Sequence, residues 1–318
     1  MRTLLLITIA AAFGTACGSG NSGQHQIPIS PTAPSTPTPP PTWELSGQII
    51  NAISRQPVAA PRLLPSGVIG NSSGVFSLTG TGTKPAQRVS IDAAGYVTRD
   101  TTISAGTDHP VIDLIPASLE SVYRELVRDG FQGTGQEPVR RWTEAPRFYV
   151  DTTPPPGVTI LVADLDRIDA GIRLMVPALT GGRFHATEIV RGSQPPTMAG
   201  WIVIRFIRED DENYCGRALV GINPGWITFN YYRCTCGSVR LAPYIINHEI
   251  GHALGFWHVA NEHALMYPQA PGHCKSADAS QAERQAAQIA YTRAPGNAAP
   301  DSDPLGMSFV ESARYVSD

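Results

Sequence analysis

The residues His248-Glu249-Ile250-Gly251-His252-Ala253-Leu254-Gly255-Phe256-Trp257-His258 carry the clearest chemistry in this chain. On a helix, His248 and His252 stand one turn apart and project from one face, so both imidazoles can reach one metal ion. Gly255 tolerates the left-handed conformation that ends a helix, and the turn it permits returns His258 as a third ligand. Three neutral nitrogens at about 2.0–2.1 Å from Zn²⁺ leave a fourth position for water, which is the pattern of a catalytic site. Glu249 directly follows the first ligand and is placed to take a proton from that water. The plain alternative is an ordinary buried helix whose histidines have other partners. The agreement of so many spaced positions argues against it.

The elements that must position these residues can be read from the rest of the chain. A length of 318 residues is a prior for two domains, and 42% hydrophobic residues suffice for packed cores. The 28 prolines and 30 glycines point to loops and a linker. A net charge of −3 offers no basic face for nucleic acid or an anionic membrane. Away from the N-terminus, no apolar run reaches the roughly 18 residues that span a bilayer.

Residues 1–17 read as an export signal: Arg2, an almost wholly apolar stretch over 4–13, then Gly14-Thr15-Ala16-Cys17. Ordinary cleavage before Cys17 fits, and so does lipidation of Cys17, because the stretch resembles a bacterial lipobox. Of five cysteines, Cys215, Cys234, Cys236 and Cys274 lie in the second half. An exported chain with this even set suggests disulfides, and lipidation of Cys17 would account for the odd count. Cys234 and Cys236 are too close to pair with each other. One is therefore expected to bond Cys215 and the other Cys274, in an order left open.

Residues 18–42 form a Pro-, Ser- and Gly-rich spacer. From 43 to 116, strands are expected at 45–50, 75–78, 89–91, 101–103 and 111–115, separated by turn residues, as in a small antiparallel β-sandwich. A short amphipathic helix follows between 117 and 135. Leu161, Leu165, Ile168, Ile172, Met175 and Leu179 then give a long helix one apolar face, with Met175 as core. Strands are expected at 184–190, 201–207, 218–222 and 226–232, the last two as a hairpin. The histidine helix should begin near 241–243, a final helix covers 282–291, and the segment from Pro295 reads as loose.

With Ala264-Leu265-Met266-Tyr267-Pro268, where Met266 lies eight residues past His258, the histidine segment resembles the metzincin zinc peptidases and within them the matrixins. That resemblance implies an α+β domain over 117–318 with a twisted mixed sheet, two long helices and a Met-turn in which Met266 floors the site. It implies one catalytic Zn²⁺ on His248, His252 and His258, with Glu249 as general base. It also places a substrate-pairing edge strand on Ala218, Leu219, Val220 and Gly221. Three phrases in 43–116 resemble the carboxypeptidase-regulatory-like, transthyretin-type sandwich: Ser46-Gly47-Gln48-Ile49, Ser73-Gly74-Val75-Phe76 and Ala94-Gly95-Tyr96. The sum is an exported zinc endopeptidase, monomeric, acting on protein or peptide, in the cell envelope or secreted. It would meet a membrane only through a lipid at Cys17. The competing readings are a surface binding protein whose zinc is structural, and a processing peptidase with one dedicated substrate. His263 is a rival ligand, and His109, His185 and His273 read as surface or packing residues.

Overall fold

The computed structural model describes residues 39–210, 214–231, 235–237, 239–268, 277–306 and 314–317. Cys17, Cys234, Cys274, His273 and nearly all of the spacer at 18–42 lie outside the described residues. No helix among the described residues is long and apolar enough to cross a membrane.

Seven strands come first: β1 (Thr42–Asn51), β2 (Arg62–Leu64), β3 (Val68–Ile69), β4 (Val75–Thr81), β5 (Gln87–Asp92), β6 (Arg99–Ile103) and β7 (Val111–Leu114). They form a three-stranded sheet in the order β4-β1-β7 and a four-stranded sheet in the order β3-β2-β5-β6. Alternation along the strands sends Leu45, Ile49, Phe76, Leu78, Val89, Ile91, Ile112 and Leu114 into one shared core. Two details depart from expectation. The short hairpin β2–β3 carries no alternating run long enough to announce it. β7 pairs with β1 in parallel, so the arrangement is not wholly antiparallel.

The second part has a mixed α+β fold. Its helices are α1 (Glu120–Arg128), α2 (Val162–Leu179), α3 (Pro243–Ala253) and α4 (Gln281–Thr292). Its strands are β8 (Arg147–Asp151), β9 (Ile189–Gly192), β10 (Trp201–Ile207), β11 (Gly216–Leu219), β12 (Gly225–Asn230) and β13 (Tyr315–Ser317), in the order β13-β11-β12-β10-β8-β9. Strands β9, β8, β10 and β12 run parallel to one another, while β11 runs antiparallel to both of its neighbours, β12 and β13. The stripe of α2 is buried at Ile168, Ile172, Met175 and Leu179 and packs with α3, whereas Leu161 at its start is exposed. Residues 184–188, expected as strand, precede β9, and of them Glu188 O accepts from the Phe148 N–H of β8 at 3.0 Å.

Residues from Pro41 onward form one unit, and the segment expected to be loose is what joins its two parts. Arg293, with its side chain fully buried, makes a bidentate pair with Asp301 (2.8 Å to each oxygen) and also bonds Asp113 at the end of the sandwich. Asp113 in turn accepts from Arg99. Asp303 accepts from Thr101 at 2.7 Å and from Arg99 at 3.3 Å. Backbone bonds between Asp100 and both Asp301 and Asp303 fix the register. Ala52, Val97 and Ile115 of the sandwich join the same apolar core as Tyr123, Leu126 and Val127 of α1. Sequence patterning misses this because a segment held by buried ion pairs has the polar, Pro-containing composition of a loop.

Burial opposes ionisation of Asp113, but Arg293 and Arg99 outweigh it and hold the carboxyl below the usual carboxylate range. Asp303 is held low in the same way, by Arg99 and by hydrogen bonds from Asn297 and Thr101, against its burial. A depressed carboxyl contributes stability above its unfolded pKa of about 3.9, and that stability is lost as pH falls through the folded value. The midpoint of thermal unfolding should therefore fall steeply below about pH 4. Asp113→Ala, which strips buried Arg293 of one partner, should cost on the order of 3 kcal/mol at neutral pH in urea denaturation and flatten the acid dependence.

Candidate metal centre

The helix α3 starts with Pro243 at its first turn, where a missing N–H costs nothing, and its residues Tyr244 to Ala253 are all buried. Its far end is capped by side chains from elsewhere. Trp142 Nε1 donates to Ala253 O and Tyr291 Oη donates to Leu254 O, both at 2.8 Å, which satisfies carbonyls that have no partner within the helix. Gly255 then turns the chain with φ +112°, and a Cβ there would sit 2.0 Å from the Arg140 carbonyl oxygen. Both the conformation and the close approach require glycine.

His248, His252 and His258 come together as expected, all buried, with their ligand atoms within 4.8 Å of one another. His252 Nε2 lies 3.0 Å from His248 Nε2 and 3.2 Å from His258 Nε2. The outward nitrogens are fixed by acceptors. His248 Nδ1 donates to Leu265 O and His252 Nδ1 to Phe256 O, both at 2.6 Å, and His258 Nδ1 donates to Gln132 Oε1 at 2.5 Å. Carbonyl and amide oxygens can only accept, so each ring carries a proton on Nδ1 and directs Nε2 inward. Three inward nitrogens converging on one buried point are an arrangement that could hold a cation. Tetrahedral nitrogen ligands at about 2.0–2.1 Å from a metal stand roughly 3.3 Å apart, close to the spacing here. The donor set fits a borderline ion such as Zn²⁺.

Glu249 lies on the turn between His248 and His252, fully buried, outside the ligand group. Its carboxylate faces the backbone of β11, where a Cβ on Gly216 would stand 2.1 Å from Glu249 Oε1. Met266 is fully buried beneath the helix, and a Cβ on Gly251 would meet its sulfur at 2.5 Å. Gly251 therefore leaves the space that Met266 fills between the two ligand-bearing turns.

Two positioning residues escape the motif. Glu283, fully buried, accepts from the backbone N–H groups of Leu265 (3.2 Å), Met266 (2.8 Å) and Ser280 (2.7 Å). It closes a capping box with Ser280 at the start of α4 while clamping the turn that carries Met266. The Ser-x-x-Glu spacing at 280–283 announces the cap but not the clamp. Gln132, on the loop after α1, has no sequence signal at all. His263 projects to solvent, with its side chain 87% exposed, and takes no part in the site. His109 and His185 are exposed as well.

Other site expectations are revised. The strand expected over 218–222 is β11 at Gly216–Leu219, and it is not an open edge, because β13 pairs along it. Val220 and Gly221 lie beyond the strand. Val220 N–H donates to Arg314 O at 3.0 Å, and Gly221, at φ +64°, donates to His252 O at 3.1 Å and leaves the ladder. Cys215, expected in a disulfide, is half-buried and packs against the core. Cys236 is disulfide-bonded.

Comparison of the chain with family models and with curated proteins gave no significant match.

Removing the Glu283 carboxylate strands three backbone donors, two of them in the turn beneath the site. Glu283→Ala should lower stability by on the order of 3 kcal/mol and reduce metal retention, whereas Met266→Leu should cost less than about 1.5 kcal/mol. Gln132→Ala frees the His258 ring and should weaken zinc affinity by about 10- to 100-fold in chelator competition, with the fold unchanged by circular dichroism.

Proposed function

We propose that this chain is an exported zinc-dependent endopeptidase of the metzincin type, with Glu249 as its general base. The observation that carries the proposal is the convergence of three imidazole Nε2 atoms with a buried carboxylate one residue along the same helix. A purely structural site has no need of that carboxylate, which speaks for chemistry at this centre. Zn²⁺ held by His248, His252 and His258 supplies Lewis acidity and an activated water at neutral pH.

The protein's own residues do the rest. Glu249 takes the water proton as oxygen bonds to the scissile carbonyl carbon, then returns it to the departing nitrogen as the C–N bond breaks. Its place against β11 supports this role, because a polypeptide laid beside that strand passes next to the carboxylate. Met266 and Glu283 contribute by holding the floor and the Leu265 carbonyl that orients His248. The signal at 1–17 and the disulfide at Cys236 both favour an oxidising compartment outside the cytosol, with lipidation at Cys17 as the route to an envelope location.

Zinc content and cleavage of a denatured protein test the proposal together. The chain should carry one zinc and cut in a chelator-sensitive manner. Glu249→Ala should keep the zinc and lose at least about 10²-fold in kcat. Substantial cleavage by that variant, or a folded protein that takes up no zinc, would defeat the assignment.

A further inference from the structure

β13 occupies the side of β11 that an extended polypeptide would otherwise use. The pairing is antiparallel, with Arg217 opposite Ser317, Ala218 opposite Val316 and Leu219 opposite Tyr315. It continues through the Val220 N–H bond to Arg314 O at 3.0 Å. Both ends of β11 touch the candidate centre. Gly216 backs onto Glu249, and just past the strand Gly221 donates to His252 O. Arg314 is also paired with Glu137 at 3.3 Å. Glu137 holds Arg140 at 3.0 Å, and the Arg140 guanidinium lies over the Trp257 ring, next to His258.

The hold on β13 is slight. It spans three residues, Tyr315 remains 65% exposed, and its main attachments are backbone hydrogen bonds. Those are the bonds an incoming polypeptide backbone would make with the same donors and acceptors. Two strands cannot use one edge at once.

We propose that Arg314–Ser317 is a self-occupying strand that excludes extended polypeptide from β11 and so holds the centre in a low-activity state until it is displaced. This rests on the peptidase proposal above. A tethered competitor acts at an effective concentration on the order of millimolar, enough to suppress weak backbone-directed binding without blocking it.

Antiparallel pairs alternate between hydrogen-bonded and open. Since Val220–Arg314 is bonded, Ala218–Val316 is bonded too, and Arg217–Ser317 is open. Val316→Pro therefore removes a ladder donor, while Ser317→Pro removes an N–H that points away from β11. Both are placed in the zinc-loaded Glu249→Ala chain, which retains polypeptide uncut, and binding of a fluorescently labelled unfolded polypeptide is measured. Val316→Pro should tighten binding by about 2- to 10-fold and speed hydrogen exchange at the Val220 amide, with Ser317→Pro close to the parent. The pair Tyr315→Gly with Val316→Gly, which loosens β13 without a proline, should shift affinity the same way. Unchanged affinity in Val316→Pro and in the glycine pair, or an equal gain in Ser317→Pro, overturns the proposal. In the Glu249 background the same release should lower KM by a similar factor and leave kcat unchanged. Tighter binding with no cleavage by any Glu249-containing chain would uphold the exclusion by β13 while sinking the peptidase assignment.

Discussion

Three imidazoles directed at one buried point make a constraint that the surrounding structure has to satisfy. Each ring is held by an acceptor on its outward nitrogen. Those acceptors come from separate stretches: the turn at Leu265, the helix exit at Phe256 and the loop at Gln132. Each stretch is itself anchored. The Leu265 turn hangs on Glu283, the Phe256 exit depends on the glycine at 255, and the end of α3 is sealed by Trp142 and Tyr291. The convergence of the three rings is thereby fixed by hydrogen bonds at its rim, the kind of support that orients ligands at a metal site.

The join between the sandwich and the α+β part follows a similar logic of buried charge. Arg293 is fully enclosed and is tolerable only because Asp301 and Asp113 neutralise it from two sides. One partner belongs to the segment after α4 and the other to β7, so satisfying the arginine fixes both parts against each other. The apolar share is supplied by Ala52, Val97 and Ile115 against α1. Since α1 leads directly into the loop carrying Gln132, the sandwich braces one wall of the candidate metal centre.

At the opposite wall, β11 is sandwiched between α3 and β13. Gly216 allows the Glu249 carboxylate to approach the backbone, and any side chain there would collide with it. This sets the strand's backbone directly against the buried carboxylate. The same edge is covered by a short strand of the chain itself, held there by backbone hydrogen bonds.

Much of the centre was legible because its determinants are local. The i, i+4 spacing of His248 and His252, the glycine that ends the helix and the following histidine act within a dozen residues, and helical geometry alone brings them together. The apolar stripe of α2 and most of the sandwich strands were legible for the same reason, since periodicity reports burial on one face. The order of the sheets, the parallel pairing of β7, the clamp by Glu283, the hand of Gln132 on His258 and the cover of β11 by β13 join residues far apart in the chain. The apparent looseness after Pro295 was likewise decided by distant partners for Arg293 and Asp303. The sequence by itself determined which side chains could bind a metal and take a proton, because those depend on residue type and helical pitch. Tertiary structure decided which polar groups hold them in place and what covers the neighbouring edge, because a hydrogen bond between separate segments leaves no periodic trace in either one.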